Sequence, residues 1–391
     1  MKNYKYLIIG GGMTADSAVG GIREMDRRGS IGIISSESDA PYNRPPLTKG
    51  LWKGDALNSI WRKTERKGVH LHLGRTVKKI DPKKKRVVDD HGEVFIYEKL
   101  LLATGGRSRL LPFGVDEIIY YRTVADYRRL RDLTKKGQRF AVIGSGFIGS
   151  EIAAGLAMNG KDVVMIFPGK GIGERMFPPA LSRFVSGYYR KKGVKLLAGK
   201  KVSGLETRGE EVVLKISGGR NIVVDAVVAG LGIVPNVELA KAMKLKVEDG
   251  VVVDEFLQTS QPAIYAAGDV AAFFNPALKK RIRVEHEDNA NTMGLQAGRN
   301  MAGKSEPYYH LPYFYSDLFE LGYEAVGETD ASLETFADWT KPNKKGVIYY
   351  LKNGRVRGVL LWNVWGKVDA ARGLIAQKEK FTRRELKGRI K

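Results

Sequence analysis

Two glycine-rich turns, each after an apolar strand and before a helix-forming stretch, constrain this chain more than any other feature. Gly10-Gly-Gly12-Met-Thr-Ala15 has the form G-x-G-x-x-A after the apolar run 4–9, and Gly144-Ser-Gly146-Phe-Ile-Gly149 the form G-x-G-x-x-G after residues 139–143. The first glycine permits a tight turn, the second lets backbone approach a pyrophosphate, and the third small residue lets helix and strand pack closely. The anion then sits at the helix N-terminus, where free N–H groups and the helix dipole favour it. Either turn alone suits an ordinary connection. Two in one chain predict two dinucleotide-binding modules.

The surrounding pattern agrees. A helix is predicted over 14–28 and a second strand over 31–35; the second unit repeats this with a helix to about 159 and a strand over 162–167. Residues 69–73, 78–80, 86–89 and 94–97 read as short antiparallel strands. The same texture returns at 194–197, 212–217 and 221–224, ending in 226–229. Strands 346–351 and 355–361 form a hairpin around Lys352-Asn353-Gly354. A basic helix over about 368–380 follows, with Val368, Leu374, Ile375 and Phe381 expected to pack on the protein. The length of 391 residues suits two or three domains.

Composition narrows the chemistry. There is no cysteine, which excludes disulfide scaffolds, thiolate metal sites and any catalytic thiol. The net charge is +23, suited to an acidic protein, nucleic acid or an anionic membrane, and silent about fold. The first apolar run is too short for a signal peptide, and no uncharged apolar run of about 18 residues exists, so a protein of the cytoplasm without a transmembrane segment is expected. His70 and His72 share one face of a predicted strand. With no third ligand evident, a strand surface is the expected reading rather than a metal site.

An acid is expected near the end of each module's second strand, to hold a ribose. Glu37 fills that place in the first. The second has Phe167-Pro-Gly-Lys170 instead, with Arg175 close by. Two readings stay open: Lys170 and Arg175 attract a 2′-phosphate, so that NADPH is accepted beside NADH, or they are solvated surface charges.

Further segments carry a resemblance. Pro41-Tyr-Asn-Arg44-Pro-Pro-Leu-Thr-Lys49 and Tyr97-Glu-Lys-Leu-Leu-Leu-Ala103-Thr104-Gly105-Gly106 between the two turns, and Gly232-Ile-Val-Pro235-Asn236 and Ile264-Tyr-Ala-Ala-Gly268-Asp269 after the second, stand in an order that resembles the two-dinucleotide, glutathione-reductase-like flavoprotein reductases. Within them the chain is similar to the ferredoxin and rubredoxin reductases and to apoptosis-inducing factor. The likeness to the latter continues through Tyr121-Arg-Thr-Val-Ala-Asp126, Arg283-Val-Glu285-His286, Ser316-Asp-Leu318, Gly322-Tyr-Glu-Ala325 and Gly358-Val-Leu-Leu-Trp362-Asn363.

The resemblance implies an α/β fold with two Rossmann-like domains and an α+β C-terminal domain. It divides the chain into an FAD-binding domain (1–122 and 247–306), an NAD(P)H-binding domain (123–246) and a C-terminal domain (307–391). It implies FAD contacts by Gly10, Gly12, Ala15, Glu37, Arg44, Lys49, Ala103, Thr104, Gly105, Asp269, Glu285, His286 and Tyr315. NAD(P)H contacts fall to Gly144, Gly146, Phe147, Gly149, Glu151, Lys170, Arg175 and Gly232. Lys49 and Glu151 form an ion pair beside the flavin N5 in this reading, Phe147 covers the flavin until nicotinamide enters, and His286 flanks the pyrimidine side. By residue type alone, Arg44 and Lys49 also suit capping charges, Glu151 a first-turn helix acid, and Phe147 a staple of its turn. Tyr315 stands where the family generally has tryptophan, which keeps an aromatic wall but no indole.

The function so implied is hydride transfer from NAD(P)H to FAD, then electron delivery to an external acceptor such as an acidic ferredoxin or rubredoxin, with no cysteine relay. The alternative is a redox sensor like apoptosis-inducing factor, in which flavin reduction switches homodimerisation or non-specific nucleic-acid binding. Against the specialised animal functions stand the lack of a targeting segment before Met1 and of a long insertion between about Trp339 and Gly346.

Overall fold

The computed structural model describes residues 1–390, and the chain divides into two compact units. The first comprises Met1–Arg44, Asn58–Arg107 and Val234–Pro312; the second comprises Pro45–Leu57, Ser108–Ile233 and Tyr313–Lys391. The C-terminal stretch therefore groups with the second glycine turn, and so does the short excursion carrying Thr48 and Lys49.

In the first unit the strand Lys2–Ile9 pairs in parallel with Ile31–Ile34 on one side and Val94–Leu102 on the other. Val94–Leu102 is nine residues long and changes partners along its length: its first half pairs antiparallel with Arg86–Asp89, its second half parallel with Ile264–Ala266. Two expectations are corrected here. His70–His72 extends the parallel sheet beside Ile31–Ile34 rather than joining an antiparallel ribbon, and residues 94–97 begin a central strand, its buried end apolar on both faces. In the second unit the analogous correction applies to Lys195–Ala198, which is parallel to Asp162–Phe167.

The helix Met13–Met25 lies against the helix Glu287–Met301 at unusually short range. A Cβ on Gly298 would stand 2.0 Å from the Ala18 carbonyl oxygen, one on Gly294 2.4 Å from that of Thr14, and one on Gly21 2.0 Å from that of Leu295. These glycines let the two backbones touch. The helix that follows the first glycine turn is thereby clamped from behind.

The second unit has a five-stranded parallel sheet in the order Lys195–Ala198, Asp162–Phe167, Arg139–Ile143, Ala226–Ala229, Ile118–Tyr120. An antiparallel trio, Val202–Arg208, Glu211–Ile216 and Ile222–Val224, accompanies it. Tyr313–Leu318, Leu321–Gly327, Arg355–Trp362, Lys345–Lys352 and Glu334–Lys341 form an antiparallel sheet. The helix Val368–Ala376 ends four residues earlier than expected and buries Ala371, Leu374 and Ile375, while Val368 and Phe381 are only half-buried; a short helix, Arg383–Leu386, follows it. Strands Glu334–Lys341 and Lys345–Lys352 are joined by a tight turn closed by Lys344 N–H to Lys341 O at 2.9 Å.

Candidate functional site: two dinucleotide cradles and a buried Lys–Glu pair

The two glycine turns share one geometry. Gly10 and Gly144 have φ of +112° and +109°, in the region closed to most side chains. A Cβ on Gly10 would lie 2.1 Å from the Ala103 oxygen, and one on Gly144 2.4 Å from the Gly230 oxygen. Gly149 is excluded from carrying a side chain by the Gly144 oxygen at 2.3 Å; the fully buried Ala15 takes the matching place in the first turn. Gly12 and Gly146 differ. Their φ values of −90° and −81° suit any residue, and a Cβ on either would meet nothing within 4 Å. The protein itself does not require glycine there. The space above each, at the start of a helix, is what a pyrophosphate needs, so both cradles fit a dinucleotide.

Around the first cradle, Glu37 accepts a hydrogen bond from Tyr42 Oη at 2.6 Å and pairs with Arg44, whose Nη1 also reaches Tyr42 Oη at 3.1 Å. Burial works against the Arg44 charge, but the Tyr42 hydroxyl, the Glu37 carboxylate and Asp269 raise its pKa above the ordinary arginine value. Ala103 N–H donates to Ile9 O at 2.8 Å; Thr104 and Gly105 are tied to Asn236 by Thr104 Oγ1 to Asn236 O, Asn236 Nδ2 to Thr104 O and Asn236 N–H to Gly105 O, at 2.9–3.0 Å. Glu285 is held by Arg283 at 2.7 Å, and His286 is the residue from which the helix Glu287–Met301 starts.

Asp16, not singled out from the sequence, is a buried and multiply bonded acid of this unit. It lies in the first turn of the helix Met13–Met25 and accepts from Arg62 and Lys67 at 2.7 Å and Thr64 at 2.6 Å. Burial pushes its pKa up, yet the bonds from Lys67, Thr64 and Arg62 outweigh it and hold the carboxyl below its usual range. His70 and His72 flank the Tyr4 ring, with Tyr4 Oη 2.9 Å from His72 Nε2, and no metal-binding cluster occurs among the described residues.

In the second unit, Glu151 sits in the first turns of the helix Phe147–Met158 and is buried. Lys49 Nζ lies 2.8 Å from its carboxylate, with side-chain exposures of 13% and 2%. Thr48 Oγ1 and Ser316 Oγ each donate to it at 2.5 Å, two partners that sequence reading left without a role. Burial, and then the Glu151 charge, keep the phenols of Tyr189 and Tyr323 protonated well above the ordinary tyrosine range.

The Pro45–Leu57 excursion is pinned on both flanks of Lys49: Leu47 O accepts from Tyr121 Oη at 2.5 Å and Trp52 Nε1 at 2.9 Å, and Trp52 O accepts from Asn159 Nδ2 at 2.9 Å. Lys49 Nζ also lies 5.0 Å from the Tyr315 ring centre. Phe147 is 38% exposed and meets Phe314 edge-on at 5.1 Å. Lys49, Glu151, Tyr315 and Phe147 thus gather around one helix start, where the Lys49 ammonium and the Glu151 carboxylate form a buried ion pair with no net charge. Gly232, with φ +81°, accepts from Arg109 N–H at 2.9 Å, while Lys170 and Arg175 are exposed.

Comparison with known proteins agrees with this architecture. The pyridine nucleotide-disulphide oxidoreductase family profile matches residues 4–294, and that of the C-terminal region of mitochondrion-associated apoptosis-inducing factor matches 297–345 and 341–377. The last two stretches overlap at residues 341–345, the tight turn after Glu334–Lys341. Apoptosis-inducing factor 1 of Dictyostelium discoideum is 36% identical over 97% of this chain and 79% of its own length. The ferredoxin–NAD(+) reductase component of the anthranilate 1,2-dioxygenase system of Burkholderia cepacia is 31% identical over 95% and 94%. In the covalent putidaredoxin reductase–putidaredoxin complex, a matching chain superposes with a TM-score of 0.89 at 28% identity, over 96% of this chain and 94% of that one. With two dinucleotide cradles in place and a family profile spanning most of its length, the chain belongs to the pyridine nucleotide-disulphide oxidoreductases, as an FAD-dependent NAD(P)H oxidoreductase of the ferredoxin reductase and apoptosis-inducing factor type.

Proposed function

We propose that this protein is an NAD(P)H-dependent reductase that delivers electrons to an acidic one-electron carrier of the ferredoxin type. The observation that carries the reading is the absence of cysteine from a two-dinucleotide oxidoreductase: with no thiol to reduce internally, electrons leave for an external acceptor. The likeness to a ferredoxin–NAD(+) reductase and to a reductase solved with putidaredoxin supports a carrier of that kind. The net charge of +23 suits attraction of an acidic protein, which acts mainly on encounter rate.

Bound FAD supplies the chemistry, accepting hydride from the nicotinamide and releasing electrons singly. The chain's own residues bind and orient. In this reading Gly10, Gly12, Ala15, Glu37, Arg44, Ala103, Thr104, Gly105, Asp269, Glu285 and His286 hold FAD. Gly144, Gly146, Gly149 and Gly232 hold NAD(P)H, Lys49 holds a positive charge near the flavin under the control of Glu151, and Phe147 and Tyr315 give aromatic walls. Gly146→Ala is expected to leave the melting temperature within about 2 °C, since the methyl enters open space, while weakening NAD(P)H binding about tenfold, a loss of ~1.4 kcal/mol measured by titration calorimetry.

Anaerobic stopped-flow tests the reading. Rapid flavin reduction by NADH, followed by reoxidation by an acidic ferredoxin that slows steeply with added salt, is expected. A second reading, a redox sensor, is favoured by the match to the apoptosis-inducing factor C-terminal region. A long-lived reduced flavin–nucleotide complex, indifferent to ferredoxin and accompanied by a change in oligomeric state on light scattering, decides for the sensor and against the carrier reductase.

A further inference from the structure

The acid expected after the second strand of the second module is missing from the adjacent sequence, yet the structure puts one there. Asp162–Phe167 runs into Pro168-Gly169-Lys170 with no carboxylate. The chain then turns back. Glu174 Oε2 accepts the Lys170 N–H at 2.6 Å, and a Cβ built on Gly169 would stand only 1.9 Å from Glu174 Oε1. Glycine at 169 therefore clears the volume in which a side chain at the strand end would begin, and the Glu174 carboxylate fills it.

This placement is fixed by the neighbouring backbone. Gly173 N–H donates to Ser145 O at 3.1 Å, inside the second glycine turn itself, so Glu174 follows directly on a residue bonded to the dinucleotide cradle. Ile172 is held on both its backbone groups, N–H to Ser186 Oγ at 3.0 Å and O from Ser182 Oγ at 2.8 Å, by two buried serines. Gly173 O accepts from Met176 N–H and Phe177 N–H at 2.9 and 2.7 Å, and Gly173 has φ +66°, a value suited to glycine. The loop backbone is tied down by these bonds, and the exposed carboxylate of Glu174 lies at the strand end where folds of this kind read the adenosine ribose.

We propose that Glu174 is the specificity-determining residue of the nucleotide site: its carboxylate accepts from the ribose hydroxyls of NADH and repels the 2′-phosphate of NADPH. The proposal rests on the nicotinamide-dependent reading above. It also decides between the two roles left open for Lys170 and Arg175. Both side chains are exposed, and the Glu174 carboxylate, bonded to the Lys170 backbone N–H, sets a negative charge against any phosphate they would attract. A carboxylate and a phosphate a few ångströms apart near a protein surface correspond to at least about a tenfold difference in affinity.

Calorimetric titration of the FAD-loaded protein with NAD+ and NADP+ tests this without reference to turnover. The wild type is expected to bind NAD+ at least about tenfold more tightly than NADP+. Glu174→Gln keeps an oxygen for the Lys170 N–H and removes the charge; it is expected to bring the two affinities within about threefold of each other. The double change Gly169→Glu with Glu174→Gly, which moves the acid to the strand end, is expected to restore the preference. Equal affinities in the wild type, or a ratio unmoved by Glu174→Gln, overturns the proposal while leaving the nicotinamide site standing. Failure of both nucleotides to bind the wild type overturns the nicotinamide reading itself.

Discussion

Glu151→Leu is expected to lower the melting temperature by about 10 °C, and the further change Lys49→Met to recover a good part of that loss. Removing one member of a buried ion pair costs ~3–5 kcal/mol, because the other charge stays behind unpaired; in a unit of this size each kcal/mol moves the midpoint by about 2–4 °C. The single variant strands more than Lys49. Thr48 and Ser316, both buried, lose the acceptor for their hydroxyls as well. In the double variant two apolar side chains of similar volume replace the pair, an exchange often neutral for stability. Differential scanning fluorimetry on the four proteins of the cycle measures the coupling. A double variant whose loss equals the sum of the two single losses shows the groups to be energetically independent. The same cycle separates stability from chemistry: a double variant that regains its melting temperature but reduces its flavin with NADH at least about tenfold more slowly assigns the Lys49–Glu151 pair a role in the reaction.

The second large effect is expected at Gly298. Valine there drives a methyl into the Ala18 carbonyl, which belongs to a helix backbone and cannot swing aside. Overpacking of this kind costs ~3 kcal/mol or more, and the strain falls on the helix that opens the first cradle. Purified Gly298→Val is expected to carry less than about half the wild-type FAD, read from the ratio of absorbance at 450 and 280 nm, with a lowered melting temperature. Gly20→Ala is the control. Its Cβ would meet nothing nearer than Leu295 Cδ1 at 3.6 Å, and alanine in a helix is favoured over glycine by about 1 kcal/mol. Full flavin content in Gly298→Val disproves the clamp.

What could be read from sequence divides along a physical line. Glycine turns, helix starts and alternating strands are local patterns, so both cradles and the α/β class were legible. Strand partners were not: His70–His72 and the strand Val94–Leu102 look like members of short ribbons because direction of pairing is a long-range property. The site was legible where residues belong to motifs, as with Lys49 and Glu151. It was not where chain folding brings in a distant donor, as with Ser316, 165 positions from Glu151, or where a carboxylate leaves its customary position, as with Glu174. Gly294 and Gly298 did leave a signal, small residues one helical turn apart, that points to close helix contact.

The alternation of segments between the two units has a consequence for synthesis. The chain passes from one unit to the other five times, and the first unit includes residues from Met1 to Pro312. At about 5–20 residues per second of translation, the helix Met13–Met25 waits roughly 15–60 s for Glu287–Met301 to be made. During that interval its small-residue face has no partner, and the nascent N-terminal half holds no completed domain. Nascent chains truncated on the ribosome before about residue 301 should therefore be cut readily by protease at the first glycine turn, whereas released full-length chains should not.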